Sequence, residues 1–164
     1  RTQVEGWELQ PECRLDPDAR GRFTFRLAAS YLSRLERQVS PDAPALDYAG
    51  HGSPKRSVLA GLEWLYGDWI TTLNVHQLGP VDIAAPRKPC ATLNEEAEKC
   101  RTPASTTADV YLAYAGFANW RLSLNIDNVT DRDPRNYDPA KGGYDIAYDD
   151  PRGRFYLISA AYRF

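Results

Sequence analysis

An all-β fold, an antiparallel transmembrane β-barrel segment of about seven strands, is predicted by three features of this 164-residue chain. Its last residues, Gly153 to Phe164, read as one strand that ends on an aromatic ring. Period-two alternation recurs along the chain while helical periodicity is weak. The connections between alternating segments are unequal, short ones taking turns with long polar ones.

The terminal strand is the sharpest of these. Counting back from Phe164, every second side chain is Tyr162, Ala160, Ile158 and Tyr156, a non-ionic face with rings toward both ends. Chain ends of soluble domains fray and are usually polar. A membrane barrel needs its last strand to close the sheet, and its rings favour the membrane interface.

Six further segments alternate: Trp7–Leu15, Phe23–Tyr31, Val58–Tyr66, Trp69–Val75, Val110–Tyr114 and Trp120–Asp127. In the last, Trp120, Leu122, Leu124 and Ile126 take one face, and Arg121, Ser123, Asn125 and Asp127 the other. The second extends in principle from Arg22 to about Ser40, longer than a bilayer requires. Short turns are expected at Asp16–Arg20, Tyr66–Asp68 and Gly116–Asn119, and long loops at Pro41–Pro54, Ala84–Ser105 and Asp131–Arg152. Short turns at one end and long loops at the other are the habit of outer-membrane barrels.

Composition agrees. Mean hydropathy is −0.54, and no apolar run approaches the 18 or so residues of a membrane helix. Barrel strands alternate faces, so their average looks soluble. The net charge of −2 advertises no polyanion-binding surface, and no nucleic-acid partner is expected. Aromatic residues are 12% of the chain, and they cluster by height. Trp64, Tyr66, Trp69, Phe117, Trp120, Phe23, Phe25, Tyr162 and Phe164 all flank the short-turn end. There they would form an interface girdle, of which Trp64, Trp69 and Trp120 are the anchors. Core positions in a soluble sheet are the other reading of these rings.

Seven antiparallel strands cannot close through an antiparallel seam, because first and last run the same way. Bacterial single-chain barrels have even strand numbers. The whole of 1–164 is therefore expected to be the C-terminal part of a larger barrel, with further strands upstream of Arg1.

On these residues the chain resembles the TonB-dependent receptors of the Gram-negative outer membrane. Trp120-Arg-Leu-Ser-Leu-Asn-Ile-Asp-Asn-Val-Thr-Asp131 looks like the family's penultimate strand, ending in its Asn-(Leu/Val)-x-Asp corner. Tyr144-Asp-Ile-Ala-Tyr-Asp-Asp-Pro-Arg-Gly-Arg154 looks like its last extracellular loop. Phe155 to Phe164 resembles its terminal strand, with Ser159 where the family often has Gly and Leu157 at the polar position before it. Gly6-Trp-Glu-Leu9 and Gly21-Arg-Phe-Thr-Phe25 resemble a hairpin of the barrel's later half. The resemblance implies about the last seven of about 22 strands, a plug domain outside this chain, and an outer-membrane location. It implies outer-membrane lipid as surroundings, and recognition of Tyr162 and Phe164 as an assembly signal by the barrel-assembly machinery. It also implies contact with the TonB complex through the plug, and energy-coupled uptake of a scarce nutrient. Ferric siderophores come first among its ligands, with oligosaccharides and cobalamin as alternatives.

Few residues suggest chemistry. Cys90 and Cys100, in the second long loop, are expected to form a disulfide on an oxidising exterior. Closing so short a loop contributes about 3 kcal/mol in the chain-entropy account. A metal site is the alternative, but no His or third Cys lies nearby in sequence. Cys13 falls on the apolar stripe with Trp7 and Leu9. His51 and His76 read as solvated polar residues, His76 on the lumen side. No Gly-x-Ser-x-Gly, His-Glu-x-x-His, P-loop or dinucleotide fingerprint occurs, so no enzyme activity and no cofactor are expected.

The third long loop holds Asp131, Asp133, Tyr137, Asp138, Tyr144, Asp145, Tyr148, Asp149 and Asp150, with Arg132, Arg135, Lys141 and Arg152 interleaved. Tyr137, Tyr144, Asp145 and Tyr148 are the candidate contacts to a small-molecule or metal-chelate ligand, since tyrosine gives contact area at low entropic cost. A calcium site and a solvated loop with scattered ion pairs are the alternatives; the spacing lacks the Asp-x-Asp-x-Asp-Gly pattern. Arg26, Glu63, Arg121, Asn125, Asp127 and Arg163 would form a hydrated wall inside the barrel. Three rival readings remain: a small structural or adhesion barrel, an outer-membrane hydrolase, and a soluble β-sandwich.

Overall fold

Seven strand positions form one antiparallel meander in a computed structural model that describes residues 1–17, 19–88, 101–135, 143–146 and 148–164. The chain runs β1 (Thr2–Leu9), β2 (Glu12–Leu15), β3 (Arg22–Arg37), β4 (Leu46–Asp47), β5 (Arg56–Tyr66) and β6 (Trp69–Leu78). It continues through β7 (Val81–Asp82), β8 (Arg101–Thr102), β9 (Ser105–Tyr114), β10 (Trp120–Asp127) and β11 (Phe155–Tyr162). The sheet order is β1-β3-β5-β6-β9-β10-β11, and it is not closed. β1 and β2 lie end to end along β3, as the expected Trp7–Leu15 segment interrupted at Gln10-Pro11. Proline has no N–H to offer the ladder, but its carbonyl still accepts from Leu27 N at 3.1 Å.

Local chemistry explains the joints. Tyr66 and Trp69 face each other across Gly67-Asp68, and Gly67 has φ 54°, the left-handed value a primed hairpin turn requires at its first central position. A register shift between Glu5 and Gly6 leaves Ser33 of β3 as the extra, unpaired residue of a bulge. Gly6 is required there, because a Cβ would sit 2.5 Å from Tyr31 O.

The ladder registers separate two faces. Leu15, Phe23, Trp64, Thr71, Leu112, Leu124 and Ile158 lie in one cross-strand row. Two residues inward, Cys13, Phe25, Leu62, Leu73, Val110, Ile126 and Tyr156 form the next. The opposite face carries Arg26, Glu63, Thr72, Asn74, Asp109, Asn125 and Asp127, so the polar wall expected from the alternation is one surface. Arg26 Nε donates to Glu12 Oε2 at 3.0 Å there.

The sheet encloses almost no core. Among the described residues, its buried members are Thr24, Ser105 and Ala113, whereas Ala49, Gly50, Gly79, Val81, Ala84, Pro86, Thr102 and Arg135 are buried in the connections. Large side chains stand exposed on the apolar face, Ile158 at 80% and Trp7 at 57%. A continuous apolar surface of this kind is far beyond the scattered patches of soluble monomers. From Tyr66 to Val58 the band rises about 27 Å along the strand at ~3.4 Å per residue. Tilted by ~35–45°, that becomes about 20 Å of height, near the ~25 Å lipid band of outer-membrane barrels.

The long connections form their own layer beyond the sheet's end. β3 outruns the band and pairs there with β4, while β7 pairs with β8. His51 and Asp82 form a parallel bridge, with Gly52 N donating to Asp82 O at 3.0 Å and Asp82 N to Gly50 O at 2.8 Å. His51 Nδ1 donates to Ala84 O at 2.8 Å. His51, partly exposed, thus ties the first loop to the second. Cys90 and Cys100 lie outside the described residues, as does Tyr137; Cys13 is a free, exposed cysteine on the apolar face.

Candidate functional site

The described ends of the third long connection, 131–135 and 148–154, stand over the polar face and border a groove of about 490 Å³. Its floor is the outer end of β5, β6, β9 and β10, contributing Ser57, His76, Thr107, Asp109 and Asp127, and its roof is Arg132, Asp133, Tyr148, Asp149 and Asp150. The roof is anchored by Arg135, whose side chain is 3% exposed, against Asp149 at 8%. Arg135 Nε reaches the two carboxylate oxygens at 3.0 and 3.1 Å. Its Nη1 donates to Gly79 O at 3.3 Å and Pro103 O at 3.5 Å. One guanidinium therefore ties the third connection to both ends of the second.

On the floor, His76 Nε2 faces Asp109 Oδ2 at 3.3 Å. The other oxygen of Asp109 accepts Asn128 N at 2.8 Å, joining the wall to the corner that follows β10. Alternation along β6 and β9 puts His76 and Asp109 on the polar face; their pairing depends on register and is not legible in either segment alone.

The Asn128-Val-Thr-Asp131 corner is a closed hydrogen-bond unit. Asn128 and Asp131 have φ of 51° and 53°, a conformation that Asn and Asp tolerate better than other side-chain-bearing residues. Asn128 Oδ1 accepts Arg132 N at 3.0 Å, and Asn128 Nδ2 donates to Arg132 O at 2.8 Å. Asp131 Oδ1 then accepts Arg154 N at 2.8 Å, at the threshold of β11. The two motif segments of the sequence thus meet, and the ends of a long connection are pinned before the terminal strand begins. Asp131→Ala should remove the acceptor and leave Ala in a left-handed conformation, costing about 1–3 kcal/mol. Asp131→Asn should cost less because it keeps the acceptor. Hydrogen exchange at the β10–β11 pairing reads the difference, and equal exchange in both variants would contradict the assignment.

Two exposed carboxylates of this layer titrate low. Asp150 is held at about 2, chiefly by hydrogen bonds from the Arg152 side chain and then its backbone N–H. Asp47, which accepts Leu35 N at 2.9 Å and Ala49 N at 3.0 Å, is lowered by those two amides. A depressed carboxylate stabilises the fold fully above its ordinary value, and the contribution is lost as pH falls through the folded value. Loop-layer protection at Asp150 should accordingly hold down to 3.8 and fall away toward about 2. In Asp150→Asn that step should vanish from exchange measured against pH.

The remaining expected residues separate. Tyr148 lines the groove, whereas Tyr144 and Asp145 do not; Asp145 O accepts the amides of Tyr148 and Asp149 at 3.0 and 2.9 Å and shapes the turn. Trp64, Trp69 and Trp120 stand on the apolar face at the short-turn end in a run of ring contacts. Centroids are 6.0 Å apart for Phe23–Trp64, 5.7 Å for Trp64–Tyr66 and 4.6 Å for Trp69–Tyr114. Trp120–Tyr162 at 4.9 Å and Tyr162–Phe164 at 5.2 Å carry the row to the last residue. Phe25 sits one row further in, opposite Cys13 and Leu62.

No protein-family profile and no curated protein matches the chain. Among solved structures, it is similar to a double-mutant form of the ferric enterobactin receptor of Pseudomonas aeruginosa. The match covers 98% of this chain at 18% identity with a TM-score of 0.62. The chain spans 22% of that receptor's length. At this identity the likeness is one of fold: an antiparallel sheet with the architecture of a segment of a receptor β-barrel.

Proposed function

We propose that this chain is part of an outer-membrane receptor for energy-coupled uptake of a scarce nutrient, a ferric siderophore first among the candidates. The observation that carries the reading is the likeness of nearly the whole chain to a ferric enterobactin receptor. The exposed apolar band supports a lipid setting, and the aromatic row supports an interface girdle with Trp64, Trp69 and Trp120 as anchors. In this reading residues 1–164 are the C-terminal strands of a larger barrel, and the groove under the third connection is the ligand-facing end of the lumen. Tyr162 and Phe164 present the end recognised by the barrel-assembly machinery. External loops capture the ligand, and the TonB complex displaces a plug domain that belongs to the rest of the protein.

Deleting the gene and measuring uptake of radiolabelled ferric chelates under iron limitation tests this. Uptake should fall, return on complementation, and stop when the proton-motive force is collapsed. Unchanged uptake of every chelate, or recovery of the protein in the soluble fraction, would sink the reading.

A further inference from the structure

The lining of the groove carries five carboxylates, Asp109, Asp127, Asp133, Asp149 and Asp150, against one guanidinium, Arg132, and one imidazole, His76. Part of that charge is answered locally. Asp149 is paired with Arg135 and Asp150 with Arg152, and Asp109 is shared between His76 and Asn128 N. Among the described residues, Asp127 receives the neutral Asn125 amide as a hydrogen bond and shares the Arg152 charge with Asp150. The lining cation Arg132 directs its Nη2 to Ala104 O at 3.0 Å. Crediting every one of these pairs, the surface offered to a ligand is negative. Its neutral hydrogen-bonding groups include the hydroxyls of Ser57, Thr107 and Tyr148.

A half-enclosed groove focuses such a field more than an open surface does. The solved relative is named for ferric enterobactin, a trianionic tris-catecholate chelate, and that charge would be repelled by these walls. A ferric trihydroxamate bearing a free ammonium group meets them with the opposite sign, and at about 490 Å³ the groove can seat a large part of it.

We propose that this groove selects cationic or uncharged ferric chelates of the trihydroxamate class against trianionic tris-catecholates. The assignment rests on the uptake reading and narrows it. The complete protein, purified from outer membranes, is to be titrated with ferrioxamine B, a cationic trihydroxamate, and with ferric enterobactin. The cationic chelate should bind about ten-fold or more tightly, a difference of about 1.4 kcal/mol. Its affinity should weaken as salt rises, because screening acts on an attractive field. Asp133→Asn and Asp127→Asn, both isosteric, should each narrow the preference about two- to five-fold, the range of partly exposed charge pairs. Tighter binding of ferric enterobactin, or a preference that neither variant moves, overturns the assignment while leaving the uptake reading standing. Binding of neither chelate by protein correctly folded in the membrane overturns both.

Discussion

Arg135→Met is expected to loosen the whole loop layer, with a local cost of about 3–5 kcal/mol, because it strands Asp149 as a buried carboxylate without its counter-charge. The wild-type pair is nearly sealed, at 3% and 8% side-chain exposure. Losing the guanidinium also removes the donors to Gly79 O and Pro103 O, so two carbonyls lose partners at once. The cost should be local. The strands below contribute their own ladders, and the layer opens as a separate unit in the way native-state exchange resolves. Faster exchange is therefore expected around Gly79 and from Arg101 to Ser105, with β5 and β6 unchanged below. The double variant Arg135→Met, Asp149→Leu should recover much of the loss, since an apolar pair of similar volume often replaces a buried ion pair without penalty. Uniform exchange across the layer in all three proteins would show that this pair does not hold the roof.

That pair also marks where the sequence stops being legible. The strands could be read because alternation reports a two-faced surface one segment at a time, and Trp120–Asp127 matches β10 at both ends. The Gly67-Asp68 turn could be read because its φ demand is local. β9 was expected from Val110 but begins at Ser105, where Thr106 and Thr107 soften the contrast between faces. β4, β7 and β8 left no signal, since two-residue strands have no periodicity to show. Arg135 and Asp149 read as two of many loop charges, and their burial follows from packing against Gly79 and Pro103, far away in sequence. In the candidate site, the polar-face residues were legible by parity and the roof was not. Tyr144 and Asp145 were singled out by composition alone, and composition does not say which side of a turn faces the groove.

Leu73→Arg should cost about 2–4 kcal/mol in lipid, the range for a basic residue near the midplane of a barrel's outer face. Leu73 lies in the middle of the apolar band, paired with Leu62 and Val110, and is 39% exposed, with no layer over it among the described residues. The adjacent control is Thr72→Arg. Its side chain points to the opposite face, with Glu63 and Tyr111 as cross-strand neighbours, so the new guanidinium meets water and a carboxylate. One residue of displacement along β6 thus converts a large penalty into a small effect of either sign. A soluble sheet with the same registers predicts the reverse ordering in water. There, an arginine added to an exposed apolar patch relieves aggregation rather than destabilising the fold. Folding the complete protein into lipid vesicles and comparing denaturant midpoints of the two variants decides between these settings. A Leu73→Arg protein as stable in lipid as Thr72→Arg would remove the lipid from the apolar face, and with it the reason for the aromatic row that ends at Phe164.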